Sequence, residues 1–152
     1  NTLAPKLLAR CGQENKIFTL MLIDVDNFKK YNDAYGHPAG DKVLSEIGTV
    51  LNTMFKRRAD LAFRLGGEEF GVLVMASTVE EAHAATEKVR QSIQDLNIAH
   101  EQNPAGVVTV SLGVATVPPG IASDIDTLYK NADDALYKAK QNGRNKYYFS
   151  NE

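Results

Sequence analysis

Only one cysteine, Cys11, stands among the 152 residues. It can close no internal disulfide, and no CxxC or Cys/His spacing surrounds it. Disulfide frameworks and structural zinc are therefore excluded, and a reducing compartment is the natural setting. A surplus of one charge is missing too: 17 basic and 19 acidic side chains leave a formal charge of −2, without the broad positive field that duplex nucleic acid or an anionic bilayer attracts. Any phosphate recognition must be local. No apolar run approaches the ~18 residues of a membrane span, and no charged, apolar, small-residue leader precedes the first strand. The expectation is a cytoplasmic chain that contacts neither membrane nor DNA nor RNA. Internal repeats, linkers and low-complexity segments are also lacking. What is present, 43% apolar and 24% charged residues, suits one globular domain with one good core.

Residues 4–13 are expected to form a short opening helix. Ile17 to Ile23 reads IFTLMLI, too continuously apolar for a half-exposed strand but suited to a buried central one that stops at Asp24. Val43, Leu44, Ile47, Val50, Leu51 and Met54 recur at helical intervals, which predicts a helix over 39–56 with Gly36 and Gly40 marking its irregular entry. Leu61 to Leu65 and Phe70 to Ala76 are β-prone runs around Gly66-Gly67-Glu68-Glu69, a hairpin whose turn carries two carboxylates. Thr78 and Glu81 are spaced as a capping box for a helix over 79–97. A strand over 107–117 follows. Ser123 with Asp126 makes a second box-like pair, opening a helix with Ile125, Leu128, Tyr129, Ala132, Ala135, Leu136 and Ala139 inward and Gly143 at its C-terminal cap. Tyr147 to Phe149 is a final strand. This order predicts an α+β fold of the split βαβ, ferredoxin-like kind, with helices flanking a mainly antiparallel sheet. In that topology the first strand lies beside the second strand of the hairpin, so Asp24 meets the Glu68–Glu69 turn at one sheet edge.

A carboxylate ending a central strand, facing carboxylates in an adjacent turn, offers the hard oxygen ligands Mg²⁺ prefers when it also holds substrate phosphates. Taken singly, each position reads equally as a polar residue at a strand end or turn. Asn27-Phe28-Lys29 turns into a short helix whose free N–H groups and Lys29 can hold a terminal phosphate, although Lys29 and Lys30 also read as a solvated pair and Phe28 as core. Asn32 and Asp41 flank Gly36-His37-Pro38-Ala39-Gly40; an amide and a carboxylate can jointly read the guanine edge, or serve as turn former and helix cap. His37 is either a loop hydrogen-bonder or a base. Lys140 and Arg144 fall where the last helix ends, in reach of nucleotide phosphates, or simply complementing the helix dipole.

Four ordered blocks, Leu22-Ile23-Asp24-Val25-Asp26-Asn27-Phe28-Lys29 with Asn32-Asp33, Gly36-His37-Pro38-Ala39-Gly40-Asp41, Arg64-Leu65-Gly66-Gly67-Glu68-Glu69-Phe70, and Lys140 through Gly143-Arg144-Asn145, closely resemble the GGDEF family of diguanylate cyclases. The resemblance covers about residues 15 to 149. It implies a palm-like catalytic domain that condenses two GTP into cyclic di-GMP with loss of two pyrophosphates. It also implies two Mg²⁺ per site, with Mn²⁺ as a substitute, and Asp24, the Val25 carbonyl and Glu68 as metal ligands. Glu69 would support the site or help deprotonate the nucleophile, so that Glu68 and Glu69 form the catalytic pair. Asn27, Phe28, Lys29, Asn32, His37, Asp41, Lys140 and Arg144 would line the substrate site, Asn32 and Asp41 reading guanine and the three cations holding the triphosphate. Since one domain holds one GTP in this family, catalysis implies a homodimer.

Arg57-Arg58-Ala59-Asp60 is separated from Gly66 by five residues, where many family members carry an RxxD site for inhibition by the cyclic product. Family members usually begin with a DxLTGLPNR-type segment, whereas this sequence starts at Asn1-Thr2-Leu3. It is therefore expected to be an N-terminally truncated domain, parted from an upstream sensor through which the full-length protein could be anchored at a membrane. The alternative is a catalytically inactive module that acts as a GTP or cyclic di-GMP receptor.

Overall fold

The computed structural model describes residue 5 and residues 15–121 and 123–150; the opening helix expected over 4–13 and Cys11 lie outside the described residues, Pro5 excepted. Among the described residues five strands and four helices follow one another as β1 Ile17–Val25, α1 Phe28–Tyr35, α2 His37–Met54, β2 Leu61–Gly66, β3 Glu69–Ala76, α3 Val79–Gln94, β4 Val110–Val117, α4 Ile125–Gln141 and β5 Tyr147–Phe149. The strands form one sheet in the order β2-β3-β1-β4-β5. Every neighbouring pair is antiparallel except β4 and β5. This is the mainly antiparallel α+β sheet with flanking helices expected from the element order. No helix among the described residues is long and apolar enough to cross a membrane.

β1 is buried at every position because it lies between two strands and under helices on both faces. Its period-2 alternation sorts the core into two layers. Met21, Ile23 and Val25 join Val43, Ile47 and Leu51 of α2 and Val89 and Ile93 of α3. Phe18, Leu20 and Leu22 face Leu128, Ala132 and Leu136 of α4. Asp24 continues the second series and therefore points to the α4 side. Gly113 of β4 lies on that side too, where an added Cβ would sit 2.1 Å from both the Ala132 carbonyl oxygen and the Leu136 nitrogen. The absence of a side chain there lets α4 lie close on the sheet.

The boundaries depart from the sequence reading at several places. α2 begins at His37, two residues before its expected start, with Gly36 at φ 91° as N-cap and Pro38 in its first turn. α3 ends at Gln94 because Leu96 and Asn97 make i→i+3 bonds to Ile93 and Gln94 and Asn97 turns left-handed at φ 56°. β4 begins at Val110, since Val107 bridges Ala99 and the Val108 N–H donates to the Ile98 carbonyl instead of entering the sheet ladder. At α4 the N-cap is Asp124, whose carboxylate accepts from the Thr127 N–H at 2.7 Å, and not Ser123. Tyr129, expected inward, is 40% exposed, on the flank of α4 beside Glu69. The Thr78 cap of α3 is as expected, although Glu81 reaches back to the Ser77 N–H, one residue earlier than in the simple box.

Candidate active site

Register alone brings the acidic residues together. Asp24 pairs across the sheet with Glu69 of β3 and with Ser111 of β4, and the Val25 N–H donates to the Glu68 carbonyl at 3.3 Å. Glu68 follows Gly67, which holds φ 53°, a left-handed conformation that glycine adopts at no steric cost. Arg64 braces the turn by donating Nε and Nη2 to the Gly67 carbonyl at 3.1 and 2.6 Å. The hairpin thus presents two carboxylates beside the buried end of β1.

α4 brings the counter-charge. The Lys140 ammonium donates to the Asp24 carboxylate, and Arg144 just beyond the helix adds a second favourable field there. Burial nevertheless outweighs both cations and raises the Asp24 pKa above the ordinary carboxylate value. Glu68 and Glu69 are raised as well, first by burial and then by repulsion from Asp24. Three carboxylates sharing one hydrogen-bonded cation hold more negative charge than their surroundings neutralise. This hard-oxygen set fits a divalent cation such as Mg²⁺. Among the described residues no three His, Cys, Asp or Glu side chains converge as a preformed metal cage.

The turn after β1 supplies a second feature. Asn27 caps α1 in the left-handed conformation, φ 52°, without a side-chain bond to the first-turn N–H groups. Its amide donates to Asn103 Oδ1 at 2.9 Å, and its carbonyl accepts from His100 Nε2 at 3.1 Å. Lys29 is exposed, while the Phe28 ring is buried and packs on Tyr31 and beside Gly40. Asn32 Oδ1 is buried without a partner, and a Cβ on Gly40 would fall 1.8 Å from it, so only glycine there leaves this amide its place. Asp41 lies at the lip of a cavity of about 320 Å³ between α2 and the hairpin, floored by Leu44, Phe63 and Phe70. His37 is exposed and has no partner among the described residues.

Arg57 and Asp60 lie away from this cluster. Arg57 Nε is 3.3 Å from both Asp60 oxygens, its Nη2 donates to the Met75 carbonyl at 3.0 Å, and Glu81 is 3.8 Å away. They border a separate cavity of about 190 Å³ beside α3. Three side chains that brace the site were not singled out from the sequence: Asp26, Arg64 and Asn103. The signal for Asp26 was present, a second carboxylate two residues after the first, but its partners are more than 80 residues away in the chain and only the fold reveals them.

The model of the family described as "Diguanylate cyclase, GGDEF domain" matches residues 2–146. Diguanylate cyclase A of Treponema denticola is 38% identical over 135 residues, which make up 89% of this chain and 36% of that protein. Probable diguanylate cyclase DgcT of Escherichia coli is 42% identical over 133 residues, 85% of this chain and 28% of that one. The chain therefore spans about a third of the length of these curated relatives. Among solved structures, the active GGEEF domain of a diguanylate cyclase from Vibrio cholerae superposes with a TM-score of 0.80 at 31% identity, over 97% of this chain and 91% of that one. The GGDEF domain of DgcB from Caulobacter crescentus in complex with c-di-GMP superposes at 0.83 with 27% identity, over 97% and 85%. With its carboxylates gathered at the end of β1 and the Gly-Gly-Glu-Glu turn beside them, the chain belongs to the GGDEF domain family of diguanylate cyclases.

Proposed function

We propose that the domain is an active diguanylate cyclase: the 3′-hydroxyl of one GTP attacks the α-phosphorus of another, pyrophosphate leaves, and a second such step closes cyclic di-GMP. The observation that carries this reading is the register of Asp24 against the Glu68–Glu69 turn with Lys140 on the same carboxylate; a module retired to ligand binding has no need of so costly a concentration of charge. Guanine enters the cavity beside Asp41, with Asn32 as the second polar reader. The unpartnered Asn32 amide oxygen supports this, because a buried acceptor gains by meeting a ligand N–H. The open N–H groups of α1, Lys29, Lys140 and Arg144 hold the triphosphate, while His37 and Asn27-Phe28 shape the entrance.

Asp24, the Val25 carbonyl and Glu68 would hold two Mg²⁺, or Mn²⁺, whose charge offsets that of the triphosphate and polarises the reacting phosphoryl group. Lys140 favours the ionised form of Asp24 until substrate arrives and is then free to turn to the phosphates. Glu69, its pKa raised, is suited to accept the proton of the attacking hydroxyl. Each domain seats one GTP, so two copies meet face to face, each supplying half of the reacting pair. The Arg57–Asp60 pair at its own cavity is the seat of product inhibition.

The test is product analysis after incubating concentrated protein with GTP and Mg²⁺, alongside Glu68→Gln. Cyclic di-GMP from the unmutated protein alone is expected. Metal-dependent GTP binding with no product at any protein concentration would replace the cyclase with a receptor.

A further inference from the structure

Asp26 is 2% exposed, yet none of the ion pairs among the described residues includes it. Its charge is met entirely by neutral donors. One oxygen accepts from Ser111 Oγ at 2.6 Å; the other accepts from Thr109 Oγ1 at 2.8 Å and from the Asn145 N–H at 3.0 Å. Its own N–H donates to the Thr109 carbonyl at 2.9 Å. Thr109 Oγ1 in turn accepts from Asn103 Nδ2 at 2.9 Å, and Asn103 holds the Asn27 amide. The carboxylate thus joins the end of β1, the start of β4 and the turn after α4.

That turn needs holding. Residues 143–145 all have positive φ, at 110°, 62° and 49°, although only the first is glycine, and consecutive left-handed residues persist only where surrounding contacts over-determine them. The Arg144 N–H closes α4 by donating to the Ala139 carbonyl at 3.0 Å. Asn145 is gripped on its side chain by Arg90 at 2.9 Å and Gln94 at 3.2 Å from α3. The grip on its backbone is Asp26. Arg144 directly precedes this doubly anchored residue, and its charge is one of those that favour the ionised form of Asp24.

We propose that Asp26 is a positioning residue for the phosphate end of the nucleotide site, its carboxylate locking the left-handed turn that aims Arg144 at the Asp24–Lys140 pair. The proposal rests on the reading of Arg144 as a triphosphate ligand. The chemistry requires an acceptor with more than one lone pair free: the Asn145 N–H can only donate, and it shares its carboxylate oxygen with Thr109 Oγ1, so that oxygen must stay an acceptor. Ser111, which alone bonds the other oxygen, can accept in place of donating. Asp26→Asn can therefore keep its oxygen on Asn145 and Thr109 and turn its amide to Ser111, which preserves the fold but removes the charge that strengthens the Asn145 bond. Asp26→Ala would orphan all three donors.

Two measurements decide it. Amide exchange of Asn145 in the unmutated, nucleotide-free protein is expected to be as slow as that of sheet amides; exchange at the rate of an open turn would overturn the anchoring. Binding of an α,β-methylene GTP analogue with Mg²⁺ is then compared among the unmutated protein, Asp26→Asn, Arg144→Ala and the double variant. Asp26→Asn is expected to speed Asn145 exchange and weaken binding about tenfold, with no further loss once Arg144 is absent. Equal losses in both backgrounds would show Asp26 acting by general destabilisation and overturn the proposal. If Arg144→Ala binds the analogue as tightly as the unmutated protein, the phosphate role of Arg144 itself is wrong and the proposal falls with it.

Discussion

Gly113→Ala tests whether α4 delivers Lys140 by lying directly on the sheet. An alanine Cβ would stand 2.1 Å from the Ala132 carbonyl oxygen and the Leu136 nitrogen, about 1.3 Å short of ordinary contact, and both are backbone atoms that cannot rotate away. The helix must lift by about that distance or the strand must bend. Overpacking of this kind costs about 1–3 kcal/mol, which for a domain of 152 residues lowers Tm by about 3–10 °C. A lift of ~1 Å at the middle of α4 also pulls Lys140 from Asp24, and misplacement on that scale costs about a hundredfold in turnover. Thermal unfolding by circular dichroism and the initial rate of cyclic di-GMP formation are the assays. The sign is diagnostic, because glycine weakens an ordinary strand interior and alanine would otherwise be neutral or stabilising there. A Tm at or above that of the unmutated protein, with full activity, would refute the close seating of α4.

Asp124→Ala should cost about 1 kcal/mol, seen as a drop of about 2–4 °C in Tm, whereas Ser123→Ala should cost less than about 0.5 kcal/mol; the reverse order would return the cap to Ser123. Asp24, Glu68 and Glu69 have pKa values raised on folding, so between the ordinary carboxylate range and those raised values the native state binds more protons than the unfolded one, and stability contributed at this site falls as pH rises through that window. Under the proposed ligand set Mg²⁺ would relieve the same repulsion, so its gain in Tm should be larger near pH 8 than near pH 5; an equal gain at both would remove these carboxylates from the ligand set. Arg57→Ala should let cyclic di-GMP accumulate past the ceiling reached by the unmutated protein in progress curves, and an unchanged ceiling would take product inhibition away from the Arg57–Asp60 cavity.

Much of this molecule is decided within short stretches of sequence. The unbroken apolar run of β1, the helical spacing from Val43 to Leu51, the Gly-Gly turn and the Thr78 cap depend on local sterics and on which face must leave water, and each stands where those rules put it. The meeting of Asp24 with Glu69 was legible too, because the split βαβ topology leaves β1 only one place beside the hairpin. Where local signals compete, tertiary contacts chose. Ser123 and Asp124 are both good caps, and the path of the chain into α4 selected Asp124. Val107 and Val108 have strand propensity, yet pairing with residues 98–99 diverts them from the sheet ladder. Asp26 is the clearest case. Its identity as a carboxylate can be read at once, but its function depends on Thr109, Ser111 and Asn145, brought to it across the chain by β4 and α4. Periodicity and turn chemistry carry information over a few residues; the partners of a buried polar group are set only when distant elements pack and every donor must find an acceptor.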